Sequence, residues 1–394
     1  MRTLIILLFA CLLPVSCQPS TGNGNGDPDK RVFYTHDKFS MGADLSYVNQ
    51  ILDHNGSYID SEKITDPYVI FSKYGANTVR LRLWNNPQWT RTVYDPPAAN
   101  MYNDFDDVKR AATAAKAQGM AVSLDFHYSD TWADPAKQET PAAWKGLSLE
   151  LLHDSLYNYT LKTLDKLETS GLMPEYVQVG NEINPGFLLP QGNRWDKKAD
   201  FIYLINGAIK AVRDASVSST VKPKIIIHVA QPENVLPWFN GMAAAGLTDY
   251  DIVGLSYYYI WSTVPVDSLS NYIADIKITT GKDVMVVETA YTWTLDNADS
   301  YGNILAADKL TPAYPASQAG QFNYLVKLTQ EIIDGGGTGI HYWEPAWITS
   351  DTNDRWGTGS SWDCNTLFDF SGNVIKGMDY MTYPYDFRAG SEIK

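Results

Sequence analysis

Two glutamates carry the chemistry that this sequence suggests first. Glu182 closes the segment Tyr176-Val177-Gln178-Val179-Gly180-Asn181-Glu182, and Glu288 closes Val284-Met285-Val286-Val287-Glu288. Each follows an apolar run, and neither has a basic neighbour in the chain. A single carboxylate in such a place reads as readily as a rim salt-bridge partner. Two of them, one preceded by Asn181, suit the cleavage of a glycosidic bond with retention. Held ~5 to 5.5 Å apart, one carboxylate attacks the anomeric carbon while the other protonates the leaving oxygen. The acid must stay protonated near neutral pH while its partner stays ionised, so their surroundings must differ. Arg82 and a tyrosine of the run Tyr257-Tyr258-Tyr259, with Tyr257 assigned to the substrate site, would hold Glu288 ionised. Asn181 would donate to the sugar 2-hydroxyl.

These residues need elements to place them, and the sequence supplies an alternation. Short apolar or β-branched runs at Phe39–Ala43, Thr78–Leu83, Ala121–Phe126, Tyr176–Val179, Lys224–Val229, Ile252–Ser256, Val284–Val287 and Gly339–Trp343 predict strands. Between them, Asp106–Gln118, Leu149–Ser170, Lys198–Ala215, Leu236–Ala245, Leu269–Thr280 and Ala319–Ile333 have the pattern of amphipathic helices. Alternating strands and helices mean a parallel sheet. Eight strands, no second linker and no glycine-rich turn after the first strand predict a single (β/α)8 barrel rather than a doubly wound sheet. In such a barrel chemistry sits at the C-terminal ends of the strands. Those ends read Arg80-Leu81-Arg82-Leu83-Trp84, Asp125-Phe126-His127-Tyr128, Val179-Gly180-Asn181-Glu182, Ser256-Tyr257-Tyr258-Tyr259, Val286-Val287-Glu288-Thr289 and His341-Tyr342-Trp343-Glu344.

Composition narrows the remaining classes. The 394 residues carry 31 Lys and Arg against 45 Asp and Glu, a net charge of −14. That balance, with no basic run, excludes a nucleic-acid partner. No His-Glu-x-x-His pair exists, which removes a zinc protease. Gly254-Leu255-Ser256-Tyr257-Tyr258 lacks the second glycine of a nucleophile elbow. Gly335-Gly336-Gly337 lies between a helix and a strand, so it reads as a turn and not a phosphate loop. His228 and His341 read as core or rim residues. The 12 Trp, 25 Tyr and 13 Phe exceed what packing asks for and suit a cleft that stacks on sugar rings. Trp84, Trp132, Trp347 and Trp362 are candidates for that lining.

At this level of detail a resemblance becomes specific. Met41-Gly42-Ala43-Asp44-Leu45-Ser46, Val79-Arg80-Leu81-Arg82-Leu83-Trp84 and Gln178-Val179-Gly180-Asn181-Glu182 resemble glycoside hydrolase family 53. So do Val287-Glu288-Thr289-Ala290-Tyr291 and the longer run Asp125-Phe126-His127-Tyr128-Ser129-Asp130-Thr131-Trp132-Ala133-Asp134-Pro135. The likeness runs from about Phe39 to Phe370. The family comprises endo-β-1,4-galactanases within a clan of retaining (β/α)8 glycosidases. The resemblance implies that Glu182 is the acid/base and Glu288 the nucleophile. It implies that Arg82, His127, Asn181 and Trp343 surround the sugar being cleaved; Trp84, Tyr257 and Trp347 complete the expected substrate site. The expected substrate is the β-1,4-galactan of pectin. The alternatives are another endo-β-glycanase of the clan, a mannanase or a glucanase, and a surface glycan-binding lipoprotein that holds polysaccharide without cutting it.

The resemblance also implies calcium. Bacterial relatives carry an Asp-rich loop after strand seven that holds this ion together with residues after strand eight. Here the loop is Asp296-Asn297-Ala298-Asp299-Ser300-Tyr301-Gly302-Asn303, with Tyr301 where a histidine commonly stands, and the later segment runs from Asn365 to Asp369. Asp296, Asp299, Asn303 and Asp369 are the expected ligands, hard oxygens of the kind calcium takes. The ion would be structural, since the reaction of two carboxylates needs no cofactor.

The N-terminus sets the expected compartment. An apolar run from Leu4 to Val15 is too short to span a bilayer and ends at Ser16-Cys17, like a bacterial lipoprotein signal. Residues 1–16 would be removed, Cys17 lipidated, 17–31 would form a Gly/Asn-rich tether, and 32–394 the catalytic barrel. The expectation is an exported monomer, touching membrane only through its lipid, on the outer membrane or in the periplasm of a Gram-negative bacterium. Acylated Cys17 would leave Cys364 without a disulfide partner.

Overall fold

The computed structural model describes residues 30–305, 310 and 312–387. The expected signal, Cys17 and nearly all of the tether lie outside the described residues. Eight parallel strands close on themselves: β1 (Ser40–Asp44), β2 (Thr78–Leu83), β3 (Ala121–Phe126), β4 (Tyr176–Val179), β5 (Lys224–Ala230), β6 (Ile252–Ser256), β7 (Asp283–Thr289) and β8 (Gly339–Tyr342). Each pairs with its sequence neighbours, and β1 closes the ring against β8. This is the (β/α)8 barrel that the alternation predicts.

Seven helices return the chain to the start of the next strand: α1 (Pro67–Lys73), α2 (Phe105–Ala117), α3 (Leu149–Thr169), α4 (Lys198–Ala215), α5 (Pro232–Ala243), α6 (Leu269–Thr280) and α7 (Gln318–Asp334). A 3₁₀ turn at Lys376–Thr382 stands in the eighth place. Their starts follow from side chains that accept the first free backbone N–H groups: Asp66 for α1, Asp104 for α2, Ser148 for α3 and Ser317 for α7. Two differences from the sequence reading have local causes. α1 is too short to show a helical period. α5 begins four residues earlier than expected, with Pro232 in its first turn, where the missing N–H costs nothing, and it continues through Pro237.

Alternation along the strands divides the core into two shells. On β5, Ile225, Ile227 and Val229 join the large cluster under the helices, while Ile226 belongs to the inner cluster with Tyr176, Ile252, Met285 and Val287. Above that inner layer the barrel interior turns polar. Arg80, Arg82, Asp125, Gln178, His228 and Ser256 are all buried there.

β7 breaks the alternation. Leu255 pairs with Val286 but Ser256 pairs with Glu288, and on the other side Ile340 pairs with Val286 but Tyr342 with Thr289. One residue is therefore inserted at the top of β7. Val287 already faces inward, so strict alternation would send Glu288 toward the helices. The bulge turns it back into the barrel.

Candidate active site

Glu182 and Glu288 face the same cleft of about 620 Å³ at the C-terminal end of the barrel, together with His127, Asn181, Tyr258 and Trp343. Glu182 reaches it by an unusual backbone. Gly180 has φ +80° and Glu182 φ +46°, both left-handed, and for a glutamate this costs of order 1–3 kcal/mol. The amide of Glu182 is held by His228 Nδ1 at 3.3 Å, and its Oε1 accepts from the Ser256 hydroxyl.

Glu288 sits in a denser charge network. Arg80 Nη2 lies 2.9 Å from Glu288 Oε1 and 2.8 Å from Asp125 Oδ2, while Arg80 Nη1 lies 2.8 Å from Asp44 Oδ2. The Tyr258 hydroxyl donates to Glu288 Oε2 at 3.2 Å. One buried guanidinium thus serves three carboxylates. Removal from water pushes both glutamates up, Glu182 to about 8, with the charge of Glu288 adding to it. On Glu288 burial also raises the pKa, but Arg80 pulls it back, Asp125 and Asp44 oppose that pull, and Tyr258 helps it. Glu288 is thus pushed up less, to about 7, and Arg80 and Tyr258 favour the charge there and the proton on Glu182, the asymmetry that acid and nucleophile require.

His127 is fixed in one neutral tautomer. Its Nδ1 accepts from the Ala133 amide at 3.1 Å and the Trp84 indole at 3.2 Å, so the ring proton must lie on Nε2, facing Asp125 Oδ2 at 3.0 Å. Burial lowers its pKa despite Asp125. Asn181 is locked as well: its amide donates to Ala133 O, and its carbonyl accepts from Arg80 and Gln178.

Three expected assignments change. Arg80, not Arg82, holds Glu288. Both point inward two residues apart, but Arg82 is taken by Glu344 at 3.0 Å and boxed by the rings of Trp132, Trp84 and Tyr47, 4.1 to 4.9 Å from its guanidinium. Of the run Tyr257-Tyr258-Tyr259 it is Tyr258 that meets Glu288, because Gly254, Ser256 and Tyr258 share the inner parity, and Tyr257, expected at the substrate, does not line the cleft. The Tyr257 hydroxyl is spent on Val264 O. Trp84 is fully buried beneath the cleft and supports His127 rather than sugar. Trp343 and Trp132 line the main cleft and a second cavity of about 410 Å³ that extends it past Trp347 and Trp356. Trp362 also lines the main cleft.

The acidic loop after β7 is folded differently from the expected ligand set. Asp369 accepts from Asn373 and Ser371 and closes its own turn, and exposed Asp296 contacts Thr294. Asp363 takes the place given to Asp369. It accepts from Asn303 Nδ2 at 2.7 Å and from Thr349 Oγ1 at 3.1 Å, and Thr349 also touches Asp299 Oδ2 at 2.6 Å. Asn303 reaches Asn297 too. Among the described residues no group of three or more His, Cys, Asp or Glu is arranged to hold a metal.

Known proteins match this chain over most of its length. The model of glycosyl hydrolase family 53 matches residues 40–381. An arabinogalactan endo-β-1,4-galactanase of Cellvibrio japonicus (strain Ueda107) is 40% identical over 361 residues, covering 90% of this chain and 93% of its own. The Ignisphaera aggregans GH53 catalytic domain superposes with a TM-score of 0.80 at 32% identity, over 91% of this chain and 100% of that one. A structure of fungal β-1,4-galactanases gives 0.73 at 31%, over 87% and 99%. Carboxylates from β4 and β7 in one aromatic cleft, on a chain matched from its first strand to its last turn, place this protein in glycosyl hydrolase family 53.

Proposed function

We infer that the protein is an endo-acting retaining glycoside hydrolase that cleaves β-1,4-galactosidic bonds in galactan. The observation that carries this reading is the pair of carboxylates on one cleft, Glu288 against Arg80 and Tyr258 and Glu182 against the Ser256 hydroxyl, in a chain 40% identical to an arabinogalactan endo-β-1,4-galactanase. A cleft that continues into a second cavity along Trp132 and Trp343, rather than ending blindly, suits attack within a polymer.

In the first step Glu288 attacks the anomeric carbon. The bond to the leaving oxygen breaks as that oxygen takes the proton of Glu182. Arg80 and Tyr258 keep Glu288 charged until then, and Asn181 borders the sugar. In the second step water attacks the same carbon, gives its proton to Glu182 and releases Glu288. Arg82, boxed by rings, shapes the aromatic wall instead of touching the reacting carboxylate. Product sizing on galactan, mannan, xylan and cellulose tests the substrate, and following the anomer first released tests retention. Glu182→Gln and Glu288→Gln should each lower turnover by several orders of magnitude while the fold is kept. Wild-type activity in either variant overturns the assignment.

We further propose that the loop after β7 holds a calcium ion through Asp299, Asn297, Asn303 and Asp363. Two features support the fit. Asp299 Oδ2 and Asp363 Oδ2 accept from the one hydroxyl of Thr349, and the Asn303 amide bridges Asp363 and Asn297. Oxygens from carboxylate, amide and hydroxyl are what calcium takes. The ion would tie the β7 loop to the β8 loop and add nothing to bond cleavage. Exhaustive chelation should lower Tm, because a ligand bound to the native state alone stabilises it. An unchanged Tm with no calcium by elemental analysis overturns this.

The reading of the N-terminus completes the proposal. Residues 1–16 are removed, Cys17 is acylated, 17–31 tether the barrel of 32–394, and the enzyme meets a polymer too large to cross a membrane. Replacing Cys17 by Ser should release activity from membranes without lowering it.

A further inference from the structure

We propose that Ser256 and His228 are positioning residues that fix which oxygen of Glu182 carries its transferable proton; this rests on the acid/base role given to Glu182 above. Three hydrogen bonds form a closed ring behind that glutamate. Ser256 Oγ reaches Glu182 Oε1, His228 Nε2 lies 2.8 Å from Ser256 Oγ, and the Glu182 amide lies 3.3 Å from His228 Nδ1. In the sequence His228 reads as a core or rim residue and Ser256 as the end of a strand, and nothing there joins the two.

The direction of each bond follows by elimination. His228 is fully buried and its pKa is pushed well below the ordinary value, first by burial and then by Arg80, so the ring carries one proton. Asn181 Oδ1 lies 2.9 Å from Nδ1 and could accept it there. Arg80 Nη2 at 2.9 Å and Gln178 Nε2 at 3.0 Å already face that carbonyl, so a donor on Nδ1 would be a third N–H crowded onto it. A proton on Nδ1 would also orphan the Glu182 amide and make Ser256 donate to Nε2, leaving the carboxylate unserved. The proton on Nε2 serves the Glu182 amide, Ser256 and the carboxylate together, with Asn181 Oδ1 remaining only a neighbour of Nδ1. Then Glu182 N–H donates to Nδ1, Nε2–H donates to Ser256 Oγ, and Ser256 O–H donates to Glu182 Oε1.

The consequence is chemical. Oε1 is occupied by a donor in both protonation states, so only Oε2, on the cleft side, gives a proton to the leaving oxygen and later takes one from water. A hydroxyl backed by a neutral imidazole does this without adding charge. A lysine in its place would hold Glu182 ionised and remove the acid; a second carboxylate would hold it protonated and remove the base. The charged and titratable groups facing Glu182 are Glu288 from β7, Asp134 from the loop after β3, Arg80 from β2 and Tyr258 after β6. Those facing His228 are Arg80, Asp125 and His127. Of all these partners, only Ser256 donates a hydrogen bond to the Glu182 side chain and so lowers its pKa by direct contact.

The experiment measures pH–rate profiles of wild type, Ser256→Ala and His228→Gln on galactan and on an aryl galactobioside whose good leaving group needs no acid. In Ser256→Ala the alkaline limb on galactan should move up by about one pH unit, and the water-attack step on the aryl substrate should slow about tenfold, the size of one hydrogen bond lost to a charged group. KM should stay within about twofold, and His228→Gln should shift the same limb in the same direction by less. Superimposable profiles, with only Tm altered, overturn the proposal. Should the variants not fold, ¹⁵N spectra of the six histidines in wild type decide: His228 must show an unprotonated Nδ1, and a protonated Nδ1 overturns the ring. If Glu182→Gln keeps full activity, the acid/base reading has failed instead, and that outcome is distinct from an unmoved limb in Ser256→Ala.

Discussion

At the residue scale, the difference between Tyr257 and Tyr258 separates a packing tyrosine from a working one. Tyr258 donates to Glu288 Oε2, and this bond favours the charged carboxylate over the neutral one. Tyr258→Phe keeps the ring and removes the donor. The Glu288 pKa should then rise, so the acid limb of kcat/KM moves to higher pH and turnover at pH 5 falls by about tenfold, as for one hydrogen bond to a charge. Tyr257→Phe removes a bond to the Val264 carbonyl, far from either carboxylate in function. It should cost about 1 kcal/mol of stability and leave both limbs in place. Matched profiles of the two variants check this; equal shifts in both would contradict the assignment.

At the scale of elements, strand ends mark where chemistry lies, and parity marks it less sharply. The eight strands, Glu182 and Glu288 were legible because apolar runs stop abruptly at polar residues. Arg80 was not, since it shares inward parity with Arg82 and only depth in the barrel decides which one meets Glu288. The bulge of β7 was hidden as well, because an extra residue in Val286-Val287-Glu288 leaves no mark in composition. Asp363 escaped notice for another reason: it stands two residues before the segment Asn365–Asp369 and outside the acidic loop. The bulge makes a testable demand on its neighbour. A Cβ on Gly254 would stand 2.6 Å from Ile226 Cγ2 and 3.3 Å from Val287 Cγ2. Gly254→Ala should cost about 1–3 kcal/mol by overpacking. It should also lower kcat more than it raises KM, since Val287 can yield only by moving Glu288. Denaturant unfolding and steady-state kinetics read the two effects separately. A variant as stable as wild type with unchanged kcat would show that the bulge is slack.

At the scale of the whole molecule, the buried acids set how stability depends on pH, and in the reverse of the usual sense. An ordinary paired carboxylate has a lowered pKa in the native state. Asp125 is of that kind, held down by Arg80 and His127 against its burial, and its contribution is lost only in acid. Glu182 and Glu344 are pushed up to about 8 and Asp107 to about 6, burial being the first cause in each. Between roughly pH 4.3, where an unfolded glutamate titrates, and those values, the native state binds more protons than the unfolded one. The slope of unfolding free energy with pH is then negative, about 1.4 kcal/mol per pH unit for each such group fully engaged. Stability should therefore be highest near pH 5 and fall toward pH 8. Glu182→Gln isolates one share of this, because an amide has no charge to bury at any pH. The variant should match wild-type Tm at pH 5, exceed it by several degrees at pH 8, and still slope downward through Glu344, Glu288 and Asp107. Calorimetry of both proteins from pH 5 to 8 measures it directly. Parallel curves would mean that Glu182 titrates in the folded protein as it does in water, and the acid assigned to this site would then have lost its proton before any substrate arrived.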